Sequence, residues 1–213
     1  MAPFDLEQVD RLLSTTRAVR KRLDLERPVE PAVITECLRL ATFAPSAGNT
    51  QKWRWLVVDD AERRARIAAI VGELFYRDVK QAATSPDPAV RRIYGASRHL
   101  VDNLARVPAL VIPCYLERPS LERGAVGPAS LYGSVLQAVW SFQLALRSRG
   151  LGSTFTTMHL KEEAAVADLL GIPAEATQVC LIPVAYTIGE DFRPPPRRPV
   201  EDVTYWNQWG TEG

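Results

Sequence analysis

Residues 44–55 read APSAGNTQKWRW. In front of them lies a run of helical period, with Val33, Ile34, Cys37, Leu38 and Ala41 on one face and Pro31 placed for the first turn. Behind them, WRWLVV at 53–58 is rich in aromatic and β-branched residues and predicts a strand, with Trp53 read as packing. A helix-to-strand connection needs turn formers, and Pro45 and Gly48 supply them. It does not need Ser46, Asn49, Thr50 and Gln51 as well. Four side chains that donate and accept hydrogen bonds at a strand entrance mark this loop as a candidate binding segment.

Working outward, Asp5 caps a first helix with Leu6, Val9, Leu12 and Leu13 on its apolar face. A basic cluster follows at Arg17, Arg20, Lys21 and Arg22. Residues 61–79 predict a helix with Ile67, Ile70, Leu74 and Phe75 inward, and another runs to about Leu104. ALVIPCYL at 109–116 predicts a second strand, whose Pro113 argues for an edge or a bulge. A loop around Gly124 to Pro128 opens a long helix, Ala129 to Arg149, apolar nearly all round; such a helix must be covered by a core or by a second subunit. STFTT (153–157) and VCLIPVAYT (179–187) predict two further strands, separated by a short helix that stops at Gly171 and Pro173. From about Gly189 the chain turns proline-rich, then basic at Arg197 and Arg198, then aromatic at Tyr205, Trp206 and Trp209. That composition reads as a stiffened arm that docks, since a tail left in water has little use for so many large aromatics. The expectation is one domain, 1–213, carrying an arm.

Composition excludes several classes of function. With 213 residues, 46% hydrophobic, the chain can bury one good core. A net charge of +1 gives no global field for nucleic acid or an anionic membrane. No secretory leader is visible at Met1 to Asp10, and Ala129 to Leu146 is too polar and slightly too short for a membrane span. Cys37, Cys114 and Cys180 are far apart and odd in number, which suits core packing in a reducing cytoplasm rather than disulfides or a metal site. The two histidines, His99 and His159, have no nucleophile or carboxylate at a useful spacing. GLGSTF at 150–155 lacks the third glycine of a dinucleotide fingerprint and lies between helix and strand in the wrong order. With so few candidates for side-chain catalysis, a cofactor is left to carry the difficult step.

Three polar segments remain: Arg17 with Arg20, able to converge on one anion; the loop at 45–51; and Arg197 with Arg198. A solvated basic face is the alternative for the first. Taken in order, TTRAVRKRLD (15–24), PVEPAVITECLRLATFAPSAGNTQKWRWLVV (28–58), GLGSTFTTMHL (150–160), LLGIP (169–173), LIPVAY (181–186) and RRPVED (197–202) resemble the FMN-dependent nitroreductase family over nearly the whole chain. The usual form of its first two motifs is R-R-S-V-R and A-P-S-G-G-N-x-Q-P-W. Actinobacterial members, in which a final TYW recurs, are the nearest in character.

The resemblance implies an α+β nitroreductase-like fold, a central mixed sheet surrounded by helices with an extended C-terminal arm, working as a cytoplasmic homodimer. It implies FMN as cofactor and NADPH or NADH as electron donor, in a ping-pong reaction. Hydride passes to flavin N5, the donor leaves, and a small aromatic acceptor, a nitroaromatic or quinone, binds the same face. No side chain is catalytic and no metal takes part. By position, Arg17, Ala18 (through its backbone) and Arg20 meet the phosphate and flavin edge, with Arg20 stabilising charge on the reduced ring. Pro45, Ser46, Asn49 and Gln51 run beside the ring, Thr156 and Thr157 lie along it as donors, and Arg197 with Arg198 completes the phosphate grip. Thr16 in place of the first arginine, Ala18 in place of serine and Lys52 in place of proline depart from the family pattern. Two other readings share the fold: a flavoprotein with different chemistry, such as dehalogenation or flavin cleavage, and a non-enzymatic FMN store.

Overall fold

The computed structural model describes residues 3–120 and 122–210, the side chains of Lys80 and Gln81 excepted. They fall into a large unit, Arg17–Glu190, and a smaller one made of the residues up to Thr16 and those from Asp191 on.

In the large unit β1 (Trp53–Val58) pairs with β2 (Ala109–Tyr115), β2 with β5 (Ile182–Tyr186), and β5 with β3 (Leu151–Ser153). The order is β1-β2-β5-β3, and the two-residue β4 (Thr177–Gln178) pairs with β2 beyond the end of β5. The α+β class is as expected, but every strand pairing among the described residues is antiparallel rather than mixed. Helices α3 (Ala61–Asp78) and α4 (Pro88–Asp102) show why: they return the chain to Val58's own end of the sheet, where Leu110 pairs with it, so β2 must run back.

All seven residues of β2 are buried. Ala109, Val111 and Tyr115 belong to one apolar cluster with Val135, Phe142 and Leu146 of α5 (Val126–Arg147) and Ile34 and Cys37 of α2 (Pro31–Ala41). Leu110, Ile112 and Cys114 are buried outside that cluster, so the alternation of the strand places them on the other face. β2 is also paired on both sides, by β1 on one and by β5 and then β4 on the other, so it is a central strand; of the edge or bulge that Pro113 suggested, the edge is ruled out. Pro113 sits at the junction where β2 leaves β5 and takes up β4; its carbonyl accepts from Val179 (3.0 Å), and no ladder bond there calls for an N–H.

Other boundaries move for local reasons. Helix α5 begins at Val126, ahead of Pro128, because proline is tolerated in a first turn. STFTT leaves the sheet after Ser153, and Thr156 returns only as a single bridge to Leu181. That bridge also divides VCLIPVAYT into an irregular stretch and β5. Helix α6 (Glu163–Leu170) ends on Gly171 in the left-handed conformation, φ 68°. No helix among the described residues is long and apolar enough to cross a membrane. On α5, Tyr132, Leu136 and Trp140, spaced four apart, stand exposed in a stripe at 37%, 39% and 43%.

In the small unit α1 (Leu6–Thr15) is capped by Asp5, whose carboxylate accepts from the Gln8 N–H (3.2 Å). The C-terminal segment is irregular apart from one turn at Glu201–Val203, and the Tyr205 and Trp209 rings lie 5.0 Å apart.

Candidate functional site

The basic segment is sewn to the edge of the sheet. The Val19 N–H donates to Ser153 (2.9 Å), Leu23 bridges Thr187, and the Asp24 N–H donates to Tyr186 (2.8 Å). The approach is close enough to require a glycine at 152. A Cβ there would stand 2.8 Å from the Thr187 methyl and 3.0 Å from Val19. Val19 and Leu23 are buried by this docking, while Arg17 and Ala18 remain exposed.

Arg20 turns into a cavity of about 450 Å³, which Thr156 and Thr157 also line. Its other walls are mostly apolar side chains of α3 and α4, with Phe155 and Pro183, and the hydroxyls of Tyr94 and Ser97 on α4. Arg20 is the only charged residue among the described residues that line it. Burial pulls the guanidinium pKa below its ordinary value, and no carboxylate among the described residues offsets that penalty. A half-buried cation without a counter-charge is costly in the isolated chain, and an anionic ligand edge would relieve it. Thr156 spends both its donors on the Leu181 carbonyl, N–H at 3.0 Å and hydroxyl at 2.9 Å, so toward a ligand its hydroxyl oxygen can only accept.

The polar loop forms a second group. Gly48, Asn49 and Gln51 all adopt positive φ (59°, 53° and 48°), and for Asn49 and especially Gln51 this costs of order 1–3 kcal/mol each. Local hydrogen bonds hold the shape. The Ser46 hydroxyl accepts from the Gln51 N–H (3.2 Å), and the Gln51 amide donates to Asn49 (3.0 Å). Ala47 is tied to Ser134 of α5 (3.0 Å), and Thr50 meets the Tyr115 hydroxyl (3.0 Å). Pro45, Asn49 and Gln51 are exposed. Beside the loop lies a cavity of about 290 Å³ whose charges are largely matched. Lys52 pairs with Glu117 (2.5 Å), and Arg118 pairs with Glu163 (2.8 Å).

Within one chain, therefore, Arg20, Thr156 and Thr157 come together, and Pro45, Ser46, Asn49 and Gln51 form a separate cluster. The first group lies by β3 and the second at the start of β1, the two ends of the strand order, on the order of 15 Å apart at the usual strand spacing. Arg197 and Arg198 are exposed in the small unit, where Arg197 donates to the Pro196 carbonyl (3.1 Å).

The cavity walls escaped the sequence reading. Val90, Ile93, Tyr94, Ser97 and Val101 follow a helical period on α4, which signals an inward face without saying whether that face packs or leaves space. Next to the cavity wall, His159 is fully buried, its ring nitrogens without a hydrogen-bond partner among the described residues, and burial holds its pKa down to about 4. No group of three or more His, Cys, Asp or Glu among the described residues is placed to hold a metal ion.

Sheet order, the docked basic segment and the polar loop together describe a nitroreductase-like architecture. The model of the nitroreductase family matches residues 13–186, and the chain belongs to that family. A Thermus thermophilus protein named NADH dehydrogenase is 30% identical over 212 residues, covering 92% of this chain and 97% of its own. Among solved structures, an oxidised iodotyrosine deiodinase bound to FMN and 3-iodo-L-tyrosine superposes with a TM-score of 0.72 at 24% identity, covering 94% of this chain and all of its own. An FMN-dependent nitroreductase from Mycobacterium smegmatis in complex with NADPH gives 0.71 at 19%, covering 96% and 100%. At those identities the two structures speak for the fold, and the chemistry they represent differs.

Proposed function

We propose that this protein is an FMN-dependent oxidoreductase that takes electrons from NADPH or NADH and passes them to a nitroaromatic or quinone acceptor. The observation that carries the reading is Arg20, a half-buried cation without a counter-charge, set beside Thr156 and Thr157. FMN, when bound, supplies the hydride-accepting chemistry. The chain holds it: Arg17, the Ala18 N–H, Arg197 and Arg198 grip the phosphate, and Arg20 faces the ring edge, where reduction places negative charge.

The polar loop belongs to the same site through a second copy of the chain. The distance between the two groups asks for it, and the Tyr132, Leu136 and Trp140 stripe on α5, the helix to which the loop is tied, offers the apolar surface for a two-fold contact. Pro45, Ser46, Asn49 and Gln51 of one protomer then lie beside the flavin held by its partner. The three cysteines, all free and buried, suit work in the cytoplasm.

The test is direct. Purified protein is expected to be yellow, to release FMN on denaturation, and to oxidise NADPH or NADH steadily when a nitroaromatic is added. Colourless protein that takes up no FMN would overturn the reading; a flavinated protein inert toward both donors would be an FMN store.

A further inference from the structure

The cavity beside Arg20 is larger than a cation needs, and its chemistry is one-sided. Apart from Arg20, its described lining offers only the hydroxyls of Tyr94, Ser97, Thr156 and Thr157 as polar side chains. Val71, Phe75, Leu100 and Leu104 form an apolar interior, and none of the described lining residues is a carboxylate that could meet an ammonium group. The opening is apolar too. Val90 and Ile93, one helical turn apart on α4, line the cavity and are nevertheless 37% and 56% exposed. Exposed branched side chains at the mouth of an apolar space keep a wet rim from forming and favour an apolar entrant.

We infer that this cavity is the subsite for the hydrocarbon part of the acceptor, and that the preferred acceptor is an uncharged aromatic ring carrying an aliphatic substituent. The inference rests on the functional reading above and sharpens it. The reducible ring stays at the Arg20 and Thr157 side, where the flavin edge is placed, and the substituent runs between α3 and α4. A zwitterionic amino acid fits poorly, because its ammonium group would enter without a partner.

Binding follows from burial: each methylene that enters should tighten binding about fourfold until the chain outgrows the cavity. The experiment titrates oxidised holoprotein, without NAD(P)H, by calorimetry against 1,4-naphthoquinones bearing 2-alkyl chains from methyl to hexyl. It also records the KM of each compound in steady-state NAD(P)H oxidation. Kd and KM are expected to fall together along the series. Ile93→Asp, and independently Val90→Asp, should abolish this dependence, so that the hexyl compound loses its advantage over the methyl compound in both Kd and KM. Both positions are exposed, so either variant should fold. A flat series on a flavinated protein that still turns over the methyl compound overturns the subsite and leaves the oxidoreductase reading intact. A slope that survives both substitutions overturns it too, since the chain must then bind elsewhere. Protein that retains FMN but oxidises no NAD(P)H with any acceptor overturns the functional reading, and the subsite with it.

Discussion

Two cavities of this chain, one beside the polar loop and one beside Arg20, make an instructive pair. The one beside the polar loop holds more charge, with Lys52, Arg118 and Arg123 against Glu117, yet Lys52 and Arg118 are already spent on carboxylates. Among the described residues, the one beside Arg20 has a single charge in its lining and no counter-ion for it, in largely apolar surroundings. Counting basic residues would favour the first for an anionic ligand; accounting for their partners favours the second, the site proposed for FMN. A matched pair at a surface contributes little and asks for nothing further, whereas a half-buried cation without a counter-charge awaits a ligand.

Acid should break the Arg20 side through its support, and this is the largest effect expected. His159 is held neutral in the core, with its pKa lowered from 6.5 to about 4. Below pH 6.5 the unfolded chain therefore binds the proton that the folded chain refuses. The stability contribution is complete above that value and is lost as pH falls through the window toward 4, by ~3 kcal/mol at most. Urea midpoints measured across the window check this, and His159→Leu, which removes the titrating group, should flatten the curve there.

Next in size is the phosphate grip. If Arg197 holds the phosphate as proposed, Arg197→Ala removes a charge-assisted bond worth roughly 1.5–3 kcal/mol and should cost a tenfold or larger loss of FMN affinity. Riboflavin, which lacks the phosphate, should bind the variant as it binds the wild type; equal losses for both ligands would assign Arg197 to folding instead.

Arg20→Gln keeps a donor and removes the charge. A unit charge in a partly buried site is worth about 1–3 kcal/mol, tens of millivolts for a two-electron couple. The variant should retain FMN with a lower midpoint potential and slower reduction by NAD(P)H. An unchanged potential with weakened binding would move Arg20 to the phosphate. The smallest effect belongs to the other cavity. Lys52→Ala breaks only an exposed pair, and FMN affinity should stay within roughly twofold of wild type. A large loss there would reverse the comparison.

Much of this was legible in the chain because it is local. Pro31 opens α2, Gly171 closes α6 and Asp5 caps α1, each through chemistry confined to a single turn. What depends on distant partners was not. Pro113 asked for an edge or a bulge, and only the pairing of β4 and β5 along one side of β2 rules out the edge. The motif order assigns the basic segment and the polar loop to one flavin without saying whether one chain or two supply them; the sheet holds the two apart within a chain, and no spacing along the sequence reveals that separation. The space between α3 and α4 escaped for a different reason. Val90 and Ile93 have the period of core residues, and a period does not tell a packed face from a hollow one.

The central claim, that Arg20 of one chain and the polar loop of another serve one FMN, can be tested by complementation. One chain carries Arg17→Ala together with Arg20→Ala, which takes away a phosphate contact as well as the ring-edge donor; the other carries Asn49→Gly and Gln51→Gly, substitutions that tolerate the positive φ of those positions. Each variant alone should lose FMN at both of its sites. Co-produced with different affinity tags and purified through both, the mixed dimer has one site made of intact halves and should retain up to half the flavin of the wild type. Mixed dimers holding no more flavin than either parent would contradict the account.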